Sequence, residues 1–318
     1  MTEQMTEPQP TLQCSLVKGP LYPNDGARRH ARFITLLAAT CLLWFGGCAS
    51  ESGPALGFLL EVDPDQERLG NLGEPTPMAE GNAGQDPRFD RIGISYVELT
   101  PNALTPLGGG AVLYSAPTTR DGGGEATHFA RIAMAAPGEP ILDVSLVDVP
   151  PGTYEYARVA LAFQDYTVDF DVEVAGETLS LEGRLASFVE AEMYISTFTL
   201  GDEVVEVGGN RSQGYWAFYN QYSGVIEGQA PAGATTVPNP IADTSPTPTV
   251  NCIVTGRFET PLTITGDETT DVQVALSLSI NDSFEWRDGD GDGRWDASDE
   301  EVVDMGLRGL VPRVVTTP

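Results

Sequence analysis

An all-β fold, an antiparallel sandwich, is what this sequence predicts, and three observations carry the prediction. Side chains alternate with a period of two. The cleanest stretch sets Val272, Val274, Leu276, Leu278, Ile280, Phe284 and Trp286 on one parity, against Gln273, Ser277, Ser279, Asn281, Ser283 and Glu285 on the other. Short β-rich runs are punctuated throughout by 35 Gly and 24 Pro. The residues from Cys48 to Pro318 number 271, enough to bury a sizeable core.

Taken in order, the chain opens with a segment that is not expected to join the fold. Arg28, Arg29 and Arg32 precede an uncharged run from Phe33 to Phe45, followed by Gly46, Gly47 and Cys48. A basic region before an apolar run of this length reads as an export signal, and the run is too short for the ~20 residues of a spanning helix. Small residues directly before a cysteine resemble the lipobox of bacterial lipoproteins, although Phe45 stands where an aliphatic residue is usual. The resemblance implies that residues 1–47 are removed and that Cys48 carries lipid as the first mature residue. Ala49 in place of Asp favours an outer-membrane address by the same resemblance. Cys14 and Cys41 leave with the leader, and Cys252 is the only other cysteine, so no disulfide framework exists. A Cys48–Cys252 bridge is the alternative if Cys48 carries no lipid.

Residues 48–88 are rich in Gly, Pro, Glu and Asp without a sustained period, and are expected to form a flexible lipidated tether. The apolar patch Ala55–Val62 is not assigned structure. The sandwich is expected over 89–311, with a tail at 312–318. Ile92, Ile94 and Tyr96 begin one strand, Ala111–Ser115 a second, and Leu142, Val144 and Leu146 a third. Pro150-Pro151-Gly152-Thr153-Tyr154 and the strand after it (Val159, Leu161, Phe163) resemble the P-x-G-x-Y edge of transthyretin-like secreted sandwich modules. Val168, Phe170, Val172 and Val174 alternate with Asp169, Asp171 and Glu173, and Gly176 turns the chain. Val189, Ala191, Met193 and Ile195 alternate with Glu190 and Glu192. These acids are expected on solvated faces, where like charge discourages edge-to-edge pairing.

Tyr215, Trp216, Tyr219 and Tyr222 belong to the densest aromatic run. A strand burying Trp216 and Phe218 is one reading of it, and a sugar- or peptide-binding face is the other. Residues 229–251, rich in Pro, Thr and Ala, are expected to form a long loop. Four strands after Cys252 are expected to complete the same sandwich.

One stretch specifies a chemistry. Asp288, Asp290, Asp292, Asp296 and Asp299 occupy places 1, 3, 5, 9 and 12 of a twelve-residue window, with Gly293 at place 6. Arg294 at place 7 would contribute its backbone carbonyl. Calcium takes six to eight oxygens in a flexible shell, which short acids on a Gly-rich backbone supply. The window resembles EF-hand loops and, more closely, those of thrombospondin type 3 repeats. It departs from an EF-hand at Trp295 (place 8) and Asp299 (place 12), and its flanks are β rather than helical. A strand–calcium loop–strand with a structural ion is the expectation.

Composition narrows the partners. Asp and Glu total 46 against 17 Lys and Arg, and removing the leader's three acids and four bases takes the net charge from −29 to −30. Nucleic acid and anionic lipid surfaces are disfavoured, calcium and cationic partners favoured. No catalytic constellation is visible. His128, expected in a surface loop, lacks a Cys or His partner at zinc spacing, and no G-x-S-x-G elbow or P-loop occurs. A binding or structural role in the cell envelope is expected. The alternatives are a carbohydrate- or peptide-binding module and a glycosidase-like enzyme, the latter because acids abound.

Overall fold

The computed structural model describes residues 53–230, 241, 244 and 252–315. Among them are nineteen strands, two 3-10 turns and no α-helix. In chain order the first nine strands are β1 (Ala55–Asp63), β2 (Asn82–Gln85), β3 (Arg88–Thr100), β4 (Ala111–Ser115), β5 (Thr118–Thr119), β6 (Ala126–His128), β7 (Ala133–Ala135), β8 (Pro140–Ser145) and β9 (Gly152–Val174). Then come β10 (Glu177–Phe188), β11 (Glu192–Leu200), β12 (Glu203–Ser212), β13 (Tyr215–Asn220) and β14 (Gly224–Gln229). The last five are β15 (Ile253–Ile264), β16 (Val272–Ser279), β17 (Phe284–Arg287), β18 (Val302–Met305) and β19 (Arg308–Val315).

They form four sheets. One runs β19-β16-β1-β8; the largest runs β14-β13-β10-β9-β3-β4, with β15 beside β9 and β7 beside β3. Smaller sheets are β12-β11-β6-β5 and β18-β17-β2. All pairings are antiparallel except β1 with β16 and β11 with β6. The long β9 links the parts: its first half pairs with β15 and β3, its second with β10. A single buried apolar cluster joins Leu56, Phe58 and Leu60 to Val274 and Leu276, and also to Ile94, Val159 and Phe258. The first and the largest sheet therefore share a core.

Several expectations need correction. Ala55–Val62 is no part of a tether: β1 is an inner strand with Leu56, Phe58 and Leu60 wholly buried. Its partner β16 lies more than two hundred residues away in sequence, so no local pattern announced the pairing. The 312–318 tail is also partly strand, since β19 runs through Pro312 to Val315 along β16. The alternating run 272–286 is two strands in different sheets, broken where Asp282 takes a left-handed backbone (φ 47°). Conversely, the runs around Val159 and Val168 are one strand. Gln229 ends β14 instead of opening a loop, and His128 lies in β6, half-buried against Tyr194.

Of the acids expected on solvated faces, Asp171 and Glu190 prove buried, whereas Asp169 and Glu173 are exposed; two further acids, Glu285 and Asp165, are buried beside arginines. Glu285 accepts hydrogen bonds from Arg68 (2.5 Å), Arg308 (2.9 Å) and Asn82 (2.5 Å). Burial alone would raise its pKa, but those bonds and the two guanidinium charges outweigh it and hold the carboxyl below its usual range. Asp165, fully buried, receives forks from both Arg91 and Arg184. Cys252 is a free, half-buried thiol whose pKa burial pushes up to about 12, so it stays protonated at neutral pH.

Among the described residues no cation pairs with Glu190. At 2% exposure its carboxylate accepts from the Ser95 hydroxyl, and burial pushes it from an ordinary 4.5 up to about 7. Between those values the unfolded chain is ionised while the folded one holds the proton. Stability is therefore greatest below the unfolded value and falls as pH rises through this window, by up to about 3 kcal/mol. Glu190→Gln keeps a neutral partner for Ser95 and removes that loss. Urea titrations at pH 4, 6 and 8 are expected to show the variant gaining on the wild type by about 2–3 kcal/mol across the range. A difference that stays constant with pH would show that burial does not control this carboxyl.

Candidate metal centre

The acidic loop leaves β17 at Arg287 and returns to β18, its neck closed by Arg287 N–H donating to the Glu301 carbonyl (2.9 Å). Within it the chain turns on itself at Gly291 and Gly293, both with positive φ (78° and 72°), a conformation that glycine adopts without steric penalty. The turns let carboxylates fold back over backbone amides. Asp288 accepts from Gly291 N (2.8 Å) and Gly293 N (3.1 Å), Asp290 from Asp292 N (3.2 Å), and Asp292 from Arg294 N (2.8 Å).

Carboxylate oxygens of Asp288, Asp290 and Asp292 consequently lie within 4.8 Å of one another. Two oxygens sharing a calcium ion at about 2.4 Å each can be no more than about 4.8 Å apart, so this spacing fits one coordination shell. An all-oxygen donor set suits a hard cation. Asp296 and Asp299 are not in that group. Asp296 instead caps Ser298 N (2.8 Å), and Asp299 is exposed. Three of the five expected carboxylates converge, and none sits on a helix.

Docking of the loop onto the large sheet was not legible in its twelve residues. Asp171 N–H donates to the Trp295 carbonyl (2.7 Å) and Ala297 N–H to the Asp171 carbonyl (3.2 Å), a short parallel bridge between loop and β9. In the EF-hand pattern this place pairs with a second loop; here β9 is the partner. Arg294, expected to matter only through its carbonyl, forks onto both Asp171 oxygens (2.6 Å each) and reaches the Ser180 hydroxyl (2.6 Å). Those hydrogen bonds hold the Asp171 carboxyl below its usual range. The Trp295 ring is buried among Phe284 (4.8 Å between centroids), Phe218 (5.9 Å) and Phe170 (6.1 Å). Glu300 braces the loop from behind, accepting from Gly289 N (2.8 Å) and Asp296 N (2.9 Å). Glu300 directly follows the window in sequence and was findable; Asp171, in an alternating acidic strand, carried no distinguishing signal.

An open groove of about 380 Å³ is lined by the loop and by the β9–β10 hairpin. Its acids are already paired: Asp171 with Arg294, Asp169 and Glu182 with Arg88.

The aromatic run does not make one binding platform. Tyr215 and Tyr219 pack in one buried cluster and Trp216 in another, because neighbours on β13 face opposite sides of the sheet. Tyr215 is 4% exposed, with its hydroxyl donating to Glu227 (2.7 Å), and the Trp216 ring covers Gly228 on β14. Only Tyr222, in the turn after β13, stands open to solvent. Cys48 lies outside the described residues. No protein-family model, curated protein or solved structure matches this chain.

Proposed function

We propose that this chain is a lipid-anchored cell-envelope protein, a β-sandwich of the transthyretin-like or Ig-like kind, with a structural calcium site and a binding or structural role. The observation that carries the calcium reading is the convergence of Asp288, Asp290 and Asp292 on a loop docked to β9. Asp288, Asp290 and Asp292 would hold the ion, which when bound neutralises their mutual repulsion. Arg294, Trp295 and Glu300 keep the loop in place against the sheet. The lipid anchor and outer-membrane address rest on the basic, apolar and Gly46-Gly47-Cys48 succession. The sandwich type is supported by the shared core and by Tyr154, whose hydroxyl donates back to the Pro150 carbonyl (2.6 Å), as a tyrosine corner does.

Calorimetry tests the ion. The wild type is expected to bind calcium with a Kd of roughly 10⁻⁴–10⁻³ M, the range of extracellular sites. At 10 mM calcium it gains about 1–3 kcal/mol of stability. Asp290→Ala and Asp292→Ala are each expected to abolish that heat and that gain. Equal calcium heats in all three proteins would remove the proposal.

A further inference from the structure

Two independent strand paths lead from Pro54 to the acidic loop. Ala55 N–H donates to Asp271 Oδ1 (2.8 Å), and the Pro54 carbonyl accepts from Leu146 N–H (2.9 Å). Strand β1 thus starts between the β8–β9 and β15–β16 connections. From there β1 and β16 run parallel to Asp63 and Ser279, after which the chain passes into β17 and the loop. In the large sheet β9 leaves the same end at Gly152 and meets the loop at Asp171. At about 3.3 Å per residue, that path is about 60 Å along the strand.

The connection to the lipid is far shorter than composition implied. With β1 beginning at Ala55, seven peptide links separate it from Cys48, a span of at most about 25 Å. Beside Pro54, at the tip of the turn Leu146–Asp148, Val147 is 87% exposed, the most exposed large apolar side chain among the described residues. Its neighbours Leu146 and Val149 are buried, so the turn itself is fixed. Asp148, Glu268 and Asp271 surround this end, a charge that suits neutral headgroups and opposes anionic ones.

We infer that the module stands end-on against a surface of zwitterionic lipid, with Pro54 and Val147 at the headgroups and the Asp288–Asp299 loop held away from them. The inference rests on the reading of Cys48 as the lipidated residue. The short leash sets which end is near the membrane, Val147 supplies the apolar contact, and the acidic flanks stay in water.

Depth-dependent quenching tests it. The full chain, expressed with its own leader and extracted in detergent, is reconstituted into phosphatidylcholine vesicles carrying headgroup nitroxides. Val147→Cys or Ser298→Cys bears a thiol-linked fluorophore; both sites are exposed, and the unsubstituted chain measures background from Cys252. The label at position 147 is expected to be quenched several-fold more than the label at 298. Equal quenching on vesicles that retain a protein acylated at Cys48 by mass spectrometry would mean the module lies flat, overturning the orientation alone. A protein that does not float with the vesicles and lacks acyl mass would overturn the anchor reading and this inference with it.

Discussion

Replacing Arg158 by Met is expected to lower the unfolding free energy by about 3–5 kcal/mol, the cost of breaking a buried ion pair from one side. For a module of this size that corresponds to a Tm lower by roughly 6–20 °C. Arg158 lies in β9 with no exposed surface, and so does its partner Glu98 on β3. One guanidinium nitrogen donates to Glu98 (3.1 Å), another to the Ala103 carbonyl (2.8 Å), while Glu98 accepts from Gly110 N–H (2.7 Å). The pair thus pins both ends of the β3–β4 connection to the core. Without Arg158 the Glu98 charge stays buried and uncompensated. Adding Glu98→Gln is expected to recover much of the loss, because neutral side chains of similar size carry no charge to desolvate. Urea titrations of the single and double variants decide it. A double variant as unstable as the single one would place the cost in lost packing and the freed Ala103 carbonyl.

Trp295→Ala is expected to cost about 3–5 kcal/mol as well, and to weaken calcium binding at least tenfold. The indole fills a space among Phe170, Phe218 and Phe284, so its loss leaves a cavity between the loop and the large sheet. The backbone bridge to Asp171 and the Arg294 fork then hold the loop alone, on a partly solvated surface where such bonds are weaker. Asp288, Asp290 and Asp292 are held by amides within the loop, and their common geometry is expected to loosen when that seat is lost. Melting curves and calcium titrations of the variant are the check. Reduced stability with an undiminished calcium heat would show that the twelve-residue loop organises itself. Unchanged stability would show that the ring contributes nothing to the core.

Trp295 also illustrates what a linear reading misses. At place 8 it departs from the EF-hand pattern and counted against the resemblance; in the fold it is the anchor that a paired loop would otherwise make unnecessary. Glu190 and Asp171 alternate with apolar neighbours, which predicts solvated faces for them, and Glu285 falls on the polar parity of its own run. Alternation assigns a residue to one side of a strand and says nothing of what lies on that side. Here a second layer covers it: the 64–68 segment reaches over Ser277 and Ser279 through Gln66, and Arg68 follows onto Glu285. The aromatic run failed as a platform for the complementary reason, since residues adjacent in sequence are on opposite faces of β13.

By itself the sequence determined the all-β class, the strand at Ala111–Ser115, the turn at Gly176, and a spacing of aspartates of which three, Asp288, Asp290 and Asp292, converge. Each depends on relations between residues a few positions apart, through the two-residue period of a strand and the backbone freedom of glycine. Only the tertiary structure decided that Ala55–Asp63 is an inner strand, that the 272–286 run divides between sheets, and that the acidic loop is seated on β9. Those outcomes depend on partners 123 to 217 residues distant, such as Asp171 for Arg294 and Glu285 for Arg68. A local pattern reports how much apolar or charged surface a strand offers. Which distant surface covers it follows from the packing of the whole chain.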